Sequence, residues 1–388
     1  MNPVCEVRPV GQDRRAQRQF IQLLWELYRG DPNWVPPLIM HQQEIVGFRP
    51  HPFYDQNPRE CFLAYVNGKP VGRIAAIVNR EHNRRYEEQR GFFGFFECVD
   101  DQRVADALFT AACQYLAEQG MTDVRGPVNP SLNYELGTLI EGFDSPPTFM
   151  MTYNPPYHDK LISGFGFEKT QDLFAYEGDV SMLATLDPKL NFVVEEIRRR
   201  FNVRVRPFDP KRFEEEVNRF LDIYNRSLVG TWGFVPLSPG EVAHQAKSLK
   251  YLLLPELTTF IEVDGKTIGA GFGLMDYNQI IKRLNGRLLP LGWLKLLRGR
   301  RKISRIRLLS ANILPEFQKW GFGLLALERM LEDVLKMGVT HGEFSWVLES
   351  NHLSRKTLER SGVRRTKTYR LYDRSLSDFS PRTAQRSA

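Results

Sequence analysis

Apolar residues recur along this chain with two periods, and the order in which the periods alternate is itself repeated. Residues 4–10 alternate briefly and stop at Pro9, which predicts a short strand. Over 12–28, Phe20, Leu23, Leu24 and Leu27 recur at three- and four-residue spacing, the pattern of one helix face. Two apolar runs then flank Asn67-Gly68, the strongest short-range hairpin signal in the chain. A strand over 92–99 and a helix over 104–118 follow, giving the order β-α-β-β-β-α.

That order returns about 200 residues later. Val7-Arg8-Pro9 has a counterpart in Val205-Arg206-Pro207, and Gly30 with Val35-Pro36 in Gly230 with Val235-Pro236. The hairpin turn Asn67-Gly68-Lys69 matches Asp264-Gly265-Lys266, and Gly120-Met121-Thr122 matches Gly338-Val339-Thr340. Near the end of each half, Gly166 to Thr170 with Tyr176 matches Gly362 to Thr366 with Tyr372. Five correspondences in one order predict a tandem duplication: a first repeat over 1–179, a linker over 180–191, a second repeat over 192–373 and a disordered polar tail over 374–388. The first repeat has an extra segment over 127–154, and the second gains one over 275–305.

A length of 388 residues suits two cores, and 42% apolar content is enough to fill them. The four cysteines, Cys5, Cys61, Cys98 and Cys113, include no close pair, which predicts neither disulfides nor a metal site. No apolar run reaches membrane-spanning length, so the expectation is a cytoplasmic protein. The formal charge of +7 points to an anionic partner without choosing among a phosphorylated ligand, nucleic acid and a lipid surface.

The stretch Ile313-Leu-Pro-Glu-Phe-Gln-Lys-Trp-Gly-Phe-Gly323 narrows that choice. It joins an apolar run to a leucine-rich helix, so it predicts a strand-loop-helix turn whose glycines admit a ligand to backbone N–H groups at a helix N-terminus. Ile313-x-Pro315 followed by Gln318-x-x-Gly321-x-Gly323 resembles the acyl-CoA-binding signature of the GNAT superfamily of N-acetyltransferases. Downstream, Glu349-x-Asn351, Ser354 and Gly362-Val363 resemble that superfamily's closing segment. The resemblance implies an α/β fold with mixed sheets, built as two GNAT-like domains, of which the N-terminal one lacks the pyrophosphate loop.

It also implies a cofactor site. N–H groups from Lys319 through Gly321, Phe322, Gly323 and Leu324 would hold a pyrophosphate, with Gln318 in the motif, Ala311 and Ile313 pairing with pantetheine, and Asn351 either binding pantetheine or capping the next helix. Acyl transfer to an amine then needs a base, for which Glu343 and Glu349 are candidates, an even number of residues apart. The superfamily's tyrosine acid is replaced by Leu358, which leaves Tyr369, Tyr372 or water to protonate the thiolate.

In the first repeat, Asn133, Glu135, Tyr153 and Asn154 lie among prolines and glycines, a composition common in binding loops. They could hold the amine or simply satisfy their own backbone. The segment 282–302 interleaves leucines and Trp293 with eight basic residues, suited to an aliphatic chain or to peripheral contact with the anionic inner membrane surface, whereas regular aromatic platforms for nucleic acid are missing. Through Asp31-Pro-Asn-Trp-Val-Pro-Pro37, Asn285-Gly-Arg-Leu-Leu-Pro290 and Lys367-Thr-Tyr-Arg-Leu-Tyr372, the whole chain also resembles a bacterial group of tandem GNAT proteins that includes ceramide synthases, which implies an acyl-CoA-dependent N-acyltransferase acting on a small or lipid-like amine. A non-catalytic acyl-CoA sensor on the same scaffold is the rival.

Overall fold

The computed structural model describes residues 4–183 and 188–379; parts of the expected linker (184–187) and tail (380–388) lie outside the described residues. The chain forms two compact units, and neither is one stretch of sequence. The first takes residues up to Asp172, Ile281–Pro290 and everything from Tyr369 on; the second takes Leu173–Ile280 and Leu291–Thr368. The final strand of each repeat is thus divided, so that each unit is completed by residues from the other repeat.

In the first unit, Cys5–Pro9, Arg59–Val66, Lys69–Val78 and Arg90–Cys98 are antiparallel neighbours, and Arg90–Cys98 runs parallel to Asp123–Gly126. Asn67 and Gly68 both adopt positive φ, 51° and 74°, the two-residue turn whose twist suits a hairpin. The helix Arg14–Leu27, capped by Asp13, buries Phe20, Leu23 and Leu24, the face its spacing predicted. Tyr372–Ser375 closes the sheet on Asp123–Gly126. Asp373 holds it there, accepting two hydrogen bonds from Arg125 at 2.7 and 2.6 Å and one from Arg90 at 3.0 Å. The tail therefore starts later than residue 374: Arg374 and Ser375 finish the strand, Leu376 is buried, and Phe379 packs on the core.

The second unit repeats the plan. Val203–Pro207, Thr258–Val263, Lys266–Met275 and Arg305–Ile313 are antiparallel neighbours; Arg305–Ile313 runs parallel to His341–Leu348, which pairs with Leu173–Asp179. Asp264 and Gly265 repeat the turn at φ 48° and 76°. The helix Gly323–Lys336 sits close on the sheet because Gly271 has no side chain: a Cβ there would meet Ala326 at 3.1 Å and Met330 at 3.3 Å. The helix Pro188–Arg200 takes in the end of the expected linker and packs Leu190, Val194 and Ile197 into this core. The extra segment over 275–305 forms two short helices, Asn278–Leu284 and Gly292–Gly299. Among the described residues, no helix is long and apolar enough to cross a membrane.

Candidate functional site

The second unit carries the strand-loop-helix corner that the motif predicted. Leu314, extended before a proline, donates its N–H to Ile268 O, and Pro315–Trp320 then winds one tight helical stretch. Gln318 ties this stretch down: its Nε2 donates to Ile313 O at 3.0 Å and Ser227 O at 3.1 Å. Its side chain shapes the loop, a role the motif alone left open.

Gly321 and Gly323 have different reasons to be glycine. Gly321 has φ 84°, and a Cβ there would meet Val193 Cγ1 at 2.8 Å, so the fold requires it. Gly323 opens the following helix with ordinary backbone, and its Cβ would meet only Ala311 Cβ at 4.0 Å. Packing does not require that glycine; it keeps the ground in front of the helix N-terminus clear. First-turn N–H groups have no intrahelical partner. Leu324 and Leu325 give theirs to the carbonyls of Gly321 and Phe322 at 3.0 Å each, so Leu324, expected in the anion nest, is already committed. Among the described residues the N–H groups of Gly321, Phe322 and Gly323 have no backbone acceptor, which leaves these three as the candidate donors at the corner.

Beside the nest two strands part. Arg305–Ile313 pairs with His341–Leu348 only as far as Leu308 with Phe344, although both strands continue. Residues 310–313 thus have their other edge bonded to Lys266–Met275 while this edge is left unpaired by the parallel neighbour. Ala311 is exposed there, and Ile313 is buried. The arrangement leaves an unpaired backbone edge that ends at the N-terminus of the helix Gly323–Lys336.

Glu343 lies one step before the strands part, opposite Arg307. It is buried, and its Oε1 accepts from Ser345 Oγ at 2.6 Å; Arg307 Nε donates to the same hydroxyl at 2.9 Å. Glu349 does not share its face. A bulge between Phe344 and Val347 breaks the alternation, and Glu349 falls in the turn beyond the strand. Asn351 caps the helix His352–Arg360, its Oδ1 accepting from Ser354 N at 3.1 Å. Tyr369 and Tyr372 belong to the first unit, both buried; Tyr372 donates to Asp159 at 2.6 Å, and burial followed by that carboxylate raises its pKa.

The first unit has the same parting of strands, filled by its own chain. Arg90–Cys98 pairs with Asp123–Gly126 only through Phe92. Beyond it, the extra segment folds back as a short hairpin, Val128–Asn129 against Glu135–Leu136. It sits so close that a Cβ on Gly94 would be 1.7 Å from Val128 O, and Asn129 Oδ1 accepts from Phe95 N at 2.7 Å. The next helix is capped by Asp101, which places a carboxylate at the N-cap position that Phe322 occupies in the second unit and so disfavours an anion there.

Asn133 and Glu135 lie half-buried in that hairpin. Asn154 is buried and spends its amide on backbone, accepting from Leu139 N at 2.6 Å and donating to Leu139 O and Pro155 O at 3.1 and 2.9 Å. Asn154→Ala is expected to cost about 1–2 kcal/mol of stability, read by urea denaturation of the first unit's transition. Tyr153 donates to Asp31 at 2.9 Å, while Asp31 Oδ1 also accepts from Asn33 N and Trp34 N. Tyr153 and Asn154 thus serve different partners.

Sequence reasoning missed a buried polar cluster in the same unit. Glu97 faces Arg73 across the strands, accepts from Tyr28 Oη at 2.7 Å, and has His158 Nε2 at 4.0 Å. Burial pushes the Glu97 carboxyl up to about 7, against the opposing pull of Arg73 and the Tyr28 hydrogen bond, and burial depresses His158 to about 3. The available signal was one acid at the end of the apolar run Phe92-Phe-Gly-Phe-Phe-Glu97.

No family model matches the chain. It is 34% identical over 366 residues to Protein YghO of Escherichia coli, covering 92% of this chain and 93% of that protein. It is also 34% identical over 389 residues to a bacterial ceramide synthase of Caulobacter vibrioides, covering 97% and 98%. A tandem GNAT protein from the clavulanic acid biosynthesis pathway shares the fold at TM-score 0.56 and 13% identity, covering 96% of this chain and 99% of that one. A GNAT N-acetyltransferase from Sphaerobacter thermophilus does so at TM-score 0.53 and 12% identity, covering 96% of each.

Proposed function

We propose that this chain, which belongs to the tandem GNAT proteins and to the group that includes the bacterial ceramide synthase of Caulobacter vibrioides, is an acyl-CoA-dependent N-acyltransferase with its cofactor site in the second unit. Gly323 carries the reading: a glycine that packing does not require, at a helix N-terminus beside an unpaired strand edge. A CoA thioester matches both features. Its pyrophosphate fits the N–H groups of Phe322 and Gly323 near the exposed Lys319, and its pantetheine amides fit the free edge around Ala311 and Ile313. The hairpin over Gly94 and the Asp101 cap leave the first unit without an equivalent.

In the reaction the acceptor nitrogen bonds to the thioester carbonyl carbon, the C–S bond breaks, and the nitrogen loses a proton. Glu343, at the vertex where the strands part, is the proposed proton acceptor, directly or through the Ser345 hydroxyl at 2.6 Å; Glu349 is the alternate. The strand edge and the nest supply orientation, which fixes the carbonyl for attack. The acceptor we favour is a lipid-like amine, supported by the named relative's 34% identity along 98% of its length.

Thiol release from acetyl-CoA and palmitoyl-CoA, assayed with sphinganine and with short amines, tests this reading. The expected result is release well above the amine-free background with palmitoyl-CoA and sphinganine, with the amide found by mass spectrometry. Tight CoA binding without release on any amine would instead make the protein a sensor, the reading that Leu358 in place of a tyrosine keeps open.

A further inference from the structure

Between Asp276 and Glu316 the chain contains no acidic residue, and the twelve residues 291–302 carry five basic ones. The helix Gly292–Gly299 in this stretch is held flat on the second unit. Gly292 and Leu296 are buried, and a Cβ on Gly299 would lie 2.7 Å from Ile280 Cδ1. Large apolar side chains remain outside: Leu291, Trp293 and Leu297 are 61%, 46% and 39% exposed. With Leu289 they make four of the thirteen exposed large hydrophobics found among the described residues, all within nine positions. Trp293 and Leu297 are one turn apart and so share a side. Lys295, Arg298, Arg301 and Lys302 are exposed beside them, and among the described residues none is paired with a carboxylate.

A short helix with an anchored side, a projecting tryptophan and leucines, and unopposed cations has the composition of an element that lies in a lipid interface. Scattered apolar side chains on a soluble surface need no explanation, but a cluster framed by one sign of charge does. A polyanion such as RNA would use the cations, yet it would leave Leu291 and Leu297 in water and find one stacking ring. We propose that the surface formed by Leu291, Trp293 and Leu297 with the four cations docks on an anionic lipid bilayer, the apolar side chains entering the headgroup boundary and the cations meeting lipid phosphate. The inference is independent of acyl transfer.

Co-sedimentation of the full chain with vesicles of phosphatidylcholine, alone or mixed with phosphatidylglycerol, tests it, with circular dichroism confirming that each variant is folded. Binding is expected to the mixed vesicles and to be lost in high salt. Replacing Lys295, Arg298, Arg301 and Lys302 by glutamine should weaken it by about fivefold per cation. Trp293→Ala with Leu297→Ala should weaken it at least about tenfold with every charge intact. No sedimentation with phosphatidylglycerol at low salt would overturn the proposal. So would binding that survives the double variant and is displaced by heparin, which would mark a general polyanion surface.

Discussion

Gly323→Leu is expected to weaken CoA binding at least about 100-fold, or about 2.7 kcal/mol, while leaving thermal stability unchanged or slightly raised. The leucine would stand on a helical residue whose Cβ has a single neighbour, Ala311 Cβ at 4.0 Å, so its point of attachment displaces nothing. It would fill the space in front of the Phe322 and Gly323 N–H groups. Gly321→Ala should behave differently. With φ 84° and Val193 Cγ1 at 2.8 Å, alanine there strains the backbone and the 188–200 helix, at about 1–2 kcal/mol of stability. A bulky residue at 321 is therefore no clean test of ligand binding, although the motif taken alone suggests it. Calorimetric titration with CoA beside a melting curve separates the two cases. Unchanged CoA affinity in Gly323→Leu would remove the nest from the site.

The contrast between these glycines shows what was legible in the amino-acid order and what was not. The two turns at Asn67-Gly68 and Asp264-Gly265, the helix faces and the duplication could be read because each is local or a comparison of local patterns. The loop motif located the corner for the same reason. The different roles of Gly321 and Gly323 depend on Val193, far away in the chain, and on empty space, which no periodicity records. The exchange of end segments was hidden likewise: Tyr372–Ser375 belongs with Asp123–Gly126 through Asp373 and Arg125, a pairing between residues some 250 apart. The segment 127–154 is visible in the sequence as extra chain rich in polar residues, suited either to a binding loop or to amides that satisfy their own backbone. In the fold its backbone fills the gap beside Gly94, and Asn154 satisfies Leu139 and Pro155.

Glu97 makes a prediction of comparable size about pH. Its folded pKa of about 7 lies above its ordinary value of 4.5, so the folded state holds this proton more tightly than the unfolded one. The resulting stabilisation is fully present below pH 4.5 and is lost as pH rises through 7, amounting to about 3 kcal/mol by pH 8. His158 works in the opposite direction. Its pKa, depressed to about 3, gives a contribution that is present above 6.5 and lost as pH falls, so the wild-type curve alone mixes the two. Glu97→Gln separates them, because glutamine mimics the protonated acid and still accepts from Tyr28 Oη. Relative to wild type, the variant should be nearly equal in stability at pH 4.5 and about 3 kcal/mol more stable at pH 8, measured by urea denaturation across that range. A difference independent of pH would mean that Arg73 keeps Glu97 ionised throughout, as a buried ion pair, and that burial is the weaker of the two influences on this carboxyl.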